Sequence, residues 1–262
     1  MFQPVIPSDG LAGWRFLNRT YDSQLATFSA SNEIKRDTDY FIENIGNVTT
    51  AEELVSDRRL LTVALGAFGL QDDINNRFFI QKILEEGTQA PDALANRFAD
   101  SRYREFSEAF GLGPNEFRGN ILSNFGPETV AQFEANSFEQ AAGNQSNAMR
   151  VALYAERTLP DLATGSQSVD AKWFTVMGDP PLRQFFEKAL NLPSTIGQID
   201  IDQQLGVFKE RAQSVFGTDD FSQLTTDEGL DDAITKYIVR EQLDTSNGGL
   251  SGGAIALTLL QS

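Results

Sequence analysis

The chain has 262 residues, no cysteine, no histidine and a formal net charge of −16. Without those two residue types it cannot form disulfides, thiolate or imidazole metal sites, or a Ser-His-Asp triad. The charge opposes binding to DNA or anionic lipid unless basic residues are segregated. The densest basic positions, Arg58/Arg59 and Arg102/Arg104, are flanked by acids, so neither nucleic acid nor a membrane surface is an expected partner.

Helical spacing of apolar residues predicts α-helices along most of the chain. The first covers about 11–28 and the second about 31–46. A capping box formed by Thr50 and Glu53 then opens a helix that continues to position 68. Further helices are predicted over about 74–86, 92–99, 101–110, 127–142 and 148–162 (with Pro160 favouring an earlier end), near 173–176, over 179–190 and 200–217, and from Asp227 onward. Residues 113–126 are predicted to form an irregular connector with a short helix near 117–125.

The stretch 57–70 carries its own stop signal. Gly69 supplies the left-handed backbone conformation that ends a helix, and Leu70 is placed to fold back onto Leu65, as in a Schellman ending. The spacing therefore predicts a helix that is closed at both ends by local interactions.

The stretch 179–192 has the same length and the same logic, with Asn191 in place of the glycine. A looser and shorter copy spans 100–112. Two interpretations stay open: an old internal duplication, or the ordinary form of any well-stopped amphipathic helix.

No segment alternates β-branched and polar residues over the length of a strand. We therefore predict an all-α fold, a multi-helix array of about ten to thirteen helices in two related lobes. The lobes cover about 11–112 and 127–243 of a single domain, 1–262, and a flexible tail is predicted over 244–262. No secretory signal or transmembrane segment is expected, because no apolar run approaches the ~20 residues that a membrane helix needs.

Three features resemble catalytic or metal motifs. The sequence around Ser251 fits G-x-S-x-G, but without a preceding strand or a base we interpret it as linker. The adjacent acids Asp72/Asp73 and Asp219/Asp220 could bind Mg²⁺ or act as an acid/base couple. Each pair precedes a helix start, where capping explains it. We expect no catalytic residue, no metal and no cofactor.

A family resemblance rests on one block of residues and several weaker matches. They are Asp39-Tyr40-Phe41, Ile45, Thr50, Glu53, Asp57-Arg58-Arg59-Leu60-Leu61, Ala67-Phe68-Gly69-Leu70, Asp73-Ile74, Phe79-Ile80, Arg150 to Leu153, Lys172-Trp173, Leu190 to Pro193 and Asp202 to Leu205. With them the chain resembles domain of unknown function 1217, a family of all-helical alphaproteobacterial proteins often encoded beside flagellar genes. The resemblance spans about 11–242. It implies a role at the flagellum and carries over no catalytic residue.

The leading hypothesis is a non-enzymatic structural or protein–protein interaction protein associated with the bacterial flagellum, compatible with export by the flagellar type III route. The alternative is a cytoplasmic export chaperone or regulator that binds a flagellar partner, and a metal-dependent carboxylate enzyme is a third class. Localisation in the cytoplasm or outside it stays open, as does self-association.

Apolar residues near both ends are the predicted partner interface. They are Phe2, Val5, Ile6, Ile255, Leu257, Leu259 and Leu260. The competing interpretation is that both ends pack on the core of this protein.

Overall fold

The computed structural model describes residues 3–248, and that part of the chain contains α-helices, short 3-10 turns and no strand. The predicted all-α fold is confirmed. The helices are α1 (Gly10–Ser29), α2 (Asn32–Asn44), α3 (Ala51–Ser56), α4 (Arg58–Ala67), α5 (Arg77–Glu86), α6 (Arg102–Phe110), α7 (Phe125–Gly143), α8 (Asn147–Thr164), α9 (Val169–Gly178), α10 (Pro180–Ala189), α11 (Ile201–Phe216), α12 (Phe221–Leu224) and α13 (Asp227–Gly248). None of these helices combines the length and the hydropathy that crossing a bilayer requires.

The described residues group into two compact units. Unit 1 comprises 3–5 and 20–142, and unit 2 comprises 6–19 and 143–248. The first half of α1 therefore belongs with the helices near the other end of the sequence. The boundaries differ from those of the predicted lobes, because periodicity along the chain carries no information about which distant segments meet.

The predicted tail begins inside a helix. α13 runs to Gly248, so residues 244–248 continue the helix that starts at Asp227. The rest of the predicted tail, 249–262, lies outside the described residues.

Unit 1 is organised around Asp57, where α3 ends and α4 begins. Its backbone is extended (φ −89°, ψ 103°), so the prediction of one continuous helix from the capping box to position 68 is wrong. The Asp57 carboxylate accepts hydrogen bonds from the amides of Arg59 and Leu60 at 2.9 and 3.1 Å. It also accepts one from the Tyr40 hydroxyl of α2 at 2.7 Å. One side chain thus caps a helix and holds a second helix against it.

The capping box that opens α3 is present as predicted. The Glu53 amide donates to the Thr50 hydroxyl oxygen, and the Thr50 amide donates to the Glu53 carboxylate, both at 3.2 Å. Hydrogen bonds from the backbone and the hydroxyl of Thr49 lower the pKa of Glu53. This cap fixes the start of a helix only six residues long.

α4 ends in the predicted Schellman motif. The Leu70 amide donates to the Leu65 carbonyl at 2.8 Å, and the Gly69 amide donates to the Gly66 carbonyl at 3.2 Å. Gly69 has φ +69°, a conformation that costs residues with a Cβ atom roughly 1 kcal/mol or more. The buried side-chain amide of Asn136 in α7 donates to two of the last carbonyls of α4, at 3.1 and 2.6 Å. The orphan groups at this helix end are therefore satisfied.

Unit 2 repeats the arrangement at Asp179, where α9 ends and α10 begins. The backbone angles are close to those of Asp57, with φ −102° and ψ 110°. The buried Asp179 carboxylate accepts from the Leu182 amide at 2.9 Å and from the Tyr154 hydroxyl of α8 at 2.6 Å. α10 has ten residues, as α4 does.

The end of α10 also matches that of α4. The Leu192 amide donates to the Glu187 carbonyl at 2.8 Å, and the Asn191 amide donates to the Lys188 carbonyl at 3.0 Å. Asn191 holds the left-handed position with φ +54°. The Arg240 guanidinium of α13 donates to the last carbonyls of α10, as Asn136 does for α4. We call each of these two assemblies, 57–70 and 179–192, an aspartate joint.

The third predicted copy shares less. Asp100 accepts from the Arg102 amide at 3.1 Å. α6 ends at Gly111, whose φ is +59° and whose amide donates to the Ser107 carbonyl at 2.9 Å. This is the single hydrogen bond of an αL motif rather than the two bonds of a Schellman motif. The end of α6 is therefore an ordinary helix ending.

Aromatic rings fill both cores, as the excess of phenylalanine over tyrosine predicts. In unit 1 the ring centroids of the buried residues Phe106 and Phe110 lie 5.0 Å apart. In unit 2 the buried Trp173 packs on Phe186 and Phe221, with ring centroids 5.0 and 4.8 Å away. These rings need no hydrogen-bond partner apart from the indole N–H, which donates to a backbone carbonyl.

The helix predicted over 148–162 is present as α8, whereas two other predictions, a helix over 92–99 and a helix start near 74, were wrong. Pro160 lies inside α8, which continues to Thr164, because a proline removes one amide without preventing the next turn when neighbouring packing holds it. Residues 92–99 contain only the 3-10 turn Leu94–Arg97. α5 begins at Arg77 rather than near 74, because the Asp73 side chain bonds to other side chains and does not cap it.

We expect Asp57→Ala and Asp179→Ala each to lower the free energy of unfolding by about 1–2 kcal/mol. Each loses a helix cap and leaves a tyrosine hydroxyl without its acceptor. Urea denaturation followed by circular dichroism measures the effect. Asp39→Ala is the matched control, because Asp39 makes only an exposed pair with Lys35. Equal stability of the three variants would contradict a structural role for the two joints.

Candidate functional site

The predicted interface residues are only partly within the described chain. Val5 has an exposed side chain, and Ile6 is half-buried. The Val5 amide donates to Gln24 Oε1 at 2.6 Å, and its carbonyl accepts from Gln24 Nε2 at 3.2 Å. Pro4 is buried beside it. The backbone at this end is therefore part of the fold, while the Val5 side chain remains available for contact.

The other predicted interface residues, Phe2, Ile255, Leu257, Leu259 and Leu260, lie outside the described residues, as does Ser251. The interface proposed at these positions therefore stays a prediction.

In the acidic pair Asp72/Asp73, the bonds of Asp73 show a structural role. Asp73 accepts from the side-chain amide of Asn76 and from the Tyr103 hydroxyl, both at 2.7 Å. Burial and this hydrogen bond raise the pKa of the Tyr103 hydroxyl. The carboxylate thus ties the turn before α5 to α6.

The second acidic pair is also engaged. Asp220 caps α12 by accepting from the Ser222 amide at 2.9 Å, and that bond lowers the pKa of Asp220. Asp219 lies 3.6 Å from the Lys209 ammonium. Within 3–248 there is no group of three or more acidic side chains arranged to hold a metal ion.

Three exposed apolar side chains of unit 1 lie on α2 and just before α7. Ile42 on α2 is 46 % exposed, and Ile121 and Leu122, just before α7, are 49 % and 48 % exposed. Gly126 in the first turn of α7 lies against Ile42, since a Cβ placed on it would be 3.6 Å from the Ile42 Cα. We call Ile42, Ile121 and Leu122 the apolar patch.

The backbone that presents the apolar patch is held from below. Asn120 is buried, and its side-chain amide donates to the carbonyls of Ile45 and Val48, both at 2.8 Å. Gly119 lies so close to α6 that a Cβ on it would be 2.0 Å from the Ala109 carbonyl oxygen. Three residues in a row therefore combine a tight backbone approach, a buried anchor and an exposed apolar side chain.

Acidic residues lie close in sequence to the apolar patch. Glu43 follows Ile42 on α2 and is exposed, and Glu128 lies in the first turns of α7. Arg118 is the basic residue nearest in sequence to Ile121. The patch is thus an uncharged area in a strongly acidic chain.

Sequence reasoning missed the apolar patch. Periodicity assigned 113–126 to an irregular connector, and such segments are normally polar. The available signal was the pair Ile121-Leu122 in a glycine- and asparagine-rich segment, where no helix face explains two adjacent large apolar residues.

A cleft of about 460 Å³ opens in unit 2. Its lining mixes polar and apolar residues and includes Asp9, Ser146, Asn147, Ile238 and Glu241. Because two of these side chains are acidic and none is basic, the cleft suits a cationic or hydrogen-bonding group better than an anion.

Glu156 is a carboxylate whose environment disfavours its charge. It lies on α8, half-buried, and accepts a hydrogen bond from the Asn18 side-chain amide of α1. Burial raises the pKa of Glu156, the Asn18 bond opposes that effect, and the negative charge of Asp231 adds to it. The folded state therefore holds this proton more tightly than the unfolded state does.

We expect Glu156→Gln to raise the melting temperature at pH 7.5 and to leave it unchanged near pH 4. The raised pKa contributes stability below the unfolded-state value of 4.5, and this is lost as pH rises through the folded-state pKa. The amide keeps an acceptor for Asn18 and removes the charge. Thermal melts across this pH range test it, with Glu210→Gln on an exposed position as control. A lower melting temperature at pH 7.5 would contradict the assignment.

We expect Asn120→Ala to lower the free energy of unfolding by about 2 kcal/mol, because two buried carbonyls lose their donor. Amide hydrogen exchange should also accelerate over 119–126. Asn124→Ala is the control, since Asn124 is exposed and bonds only to Glu128 through its side chain. Unchanged exchange over 119–126 would show that Asn120 does not anchor the patch.

Comparisons with known proteins agree with this fold. A crystal structure of a protein from Agrobacterium tumefaciens, solved as a structural-genomics target, superposes with a TM-score of 0.72 at 23 % sequence identity. The match covers 93 % of this chain and 99 % of that one, and at this identity it shows the fold alone. A comparison with curated proteins found no match.

The family model described as "Protein of unknown function (DUF1217)" matches residues 67–230. That region includes the end of the first aspartate joint, the apolar residues Ile121 and Leu122, and the whole second joint. The chain therefore belongs to the DUF1217 family, as its resemblance predicts.

Proposed function

We propose that this protein is a non-enzymatic structural or interaction protein of the bacterial flagellum and that it works through the apolar patch. The observation that supports the proposal is the pairing of three exposed apolar side chains with a buried anchor, Asn120. Apolar side chains on a backbone that is already ordered lose little conformational entropy on binding, which favours a protein–protein contact. The flagellar setting follows from what the family resemblance implies.

The carboxylates that resemble catalytic pairs are consistent with this proposal. Asp73 and Asp220 are engaged in bonds that shape local structure, and Asp219 faces a lysine. An interaction protein needs such groups only to hold its surfaces in place.

The two ends of the chain differ in what they offer a partner. Removing 1–10 would take away the buried Pro4 and leave the buried side chain of Gln24 without two hydrogen bonds. Removing 246–262 would take away the last three described residues of α13. We therefore expect loss of the first segment to reduce stability, and loss of the second to weaken assembly without unfolding the protein.

The second candidate is a cytoplasmic export chaperone or regulator that binds a flagellar partner. The unit 2 cleft favours it, because its acidic lining could receive a basic side chain of the bound protein. The two candidates differ in where the protein is found in the cell.

We expect a tagged copy, expressed at its native level, to be recovered with purified hook–basal bodies or filaments. Leu122→Asp should lower that recovery by about tenfold or more, because a buried apolar contact would have to accommodate a charge. Quantitative immunoblotting of the cell fractions measures it. Phe78→Asp is the control, since Phe78 is 81 % exposed on α5 and lies outside the patch.

Recovery in the cytosol alone would favour the chaperone or regulator. Recovery unrelated to the presence of flagella would overturn the flagellar proposal altogether.

A further inference from the structure

We infer that the apolar patch receives the 249–262 segment of a second copy of this chain. This inference rests on the proposed function, because it names the partner of the same surface. It concerns Ile42, Ile121 and Leu122 as the acceptor and the sequence of 249–262 as the ligand.

The first argument is the chemistry of the acceptor. Its three residues are between 46 % and 49 % exposed, and their side chains carry no polar atom. Burying them is therefore favourable only against an apolar ligand. The bonds of Asn120 and the close approach of Gly119 keep the surface ordered before binding. A short peptide can therefore bind it without paying to order the surface itself.

The second argument is charge. The chain carries −16, Glu43 follows Ile42 on α2, and Glu128 lies in the first turn of α7, six positions after Leu122; both glutamates are exposed. An acidic surface of a second copy would be repelled there. Residues 245–262, by contrast, contain no charged side chain, and 254–260 contain Ile255, Leu257, Leu259 and Leu260 among small residues. Residues 245–262 form the longest uncharged run in the chain.

The third argument is reach. The structure describes α13 as far as Gly248, and 249–262 is fourteen residues long. Fully extended, that length spans at most about 46–50 Å. A segment of that length can contact a neighbouring molecule without bringing the acidic surfaces of the two molecules together.

The absence of cysteine provides a direct test. Two single-cysteine full-length variants, Leu122→Cys and Leu257→Cys, are purified, mixed and oxidised, and the disulfide-linked dimer is followed by non-reducing electrophoresis. We expect it to form about tenfold faster, or more, than the dimer from Phe78→Cys mixed with Leu257→Cys, because docking raises the effective concentration of the two thiols. Circular dichroism melts confirm that each variant is folded.

Salt provides the second measurement. Screening weakens the repulsion between two acidic chains, so linkage of the Leu122→Cys and Leu257→Cys proteins should speed up as salt is raised. When Leu259→Asp is added to the Leu257→Cys variant, its disulfide-linked dimer with Leu122→Cys should form no faster than its dimer with Phe78→Cys.

Equal rates for the two mixtures overturn the inference. So does an advantage over the Phe78→Cys control that persists after Leu259→Asp is added to the Leu257→Cys variant. These results are independent of cell fractionation, so loss of the flagellar proposal and loss of this inference can be told apart.

Discussion

A carboxylate at the break between two helices fixes the geometry of each unit. Asp57 and Asp179 accept from the first amides of the following helix, which have no partner within that helix. Each also accepts from a tyrosine hydroxyl on an earlier helix, Tyr40 or Tyr154. Because both tasks fall on one side chain, the direction of the new helix and its distance from the earlier one are set together.

The opposite ends of these helices show the same task solved with different residues. A left-handed residue closes each helix, and a side chain from a later helix donates to its last carbonyls. Gly69 and Asn136 do this in unit 1, and Asn191 and Arg240 do it in unit 2. An ordinary well-stopped helix, such as the one ending at Gly111, lacks these long-range partners. The shared set of four roles supports an internal duplication over chance similarity.

Sequence reasoning identified what depends on a few neighbouring residues. The Thr50 cap and the Schellman endings involve groups within six positions, so spacing alone predicts them. The break at Asp57 was missed because its hydroxyl donor comes from Tyr40, seventeen positions earlier. The anchor Asn120 was missed for the same reason, since its acceptors lie more than seventy positions away. The candidate site depends on such contacts and could not be read from periodicity.

The location of the apolar patch follows from how the fold uses its polar groups. Side-chain amides and carboxylates of unit 1 close helix ends, join helices or fix connecting segments, and Asn120 fixes the 3-10 turn at 119–121 against the turn at 45–47. If that segment served only to connect α6 with α7, polar residues at 121 and 122 would meet water at no cost. Isoleucine and leucine there leave apolar surface exposed. In a chain of charge −16, an ordered and uncharged surface of this kind selects for an apolar ligand without acidic groups.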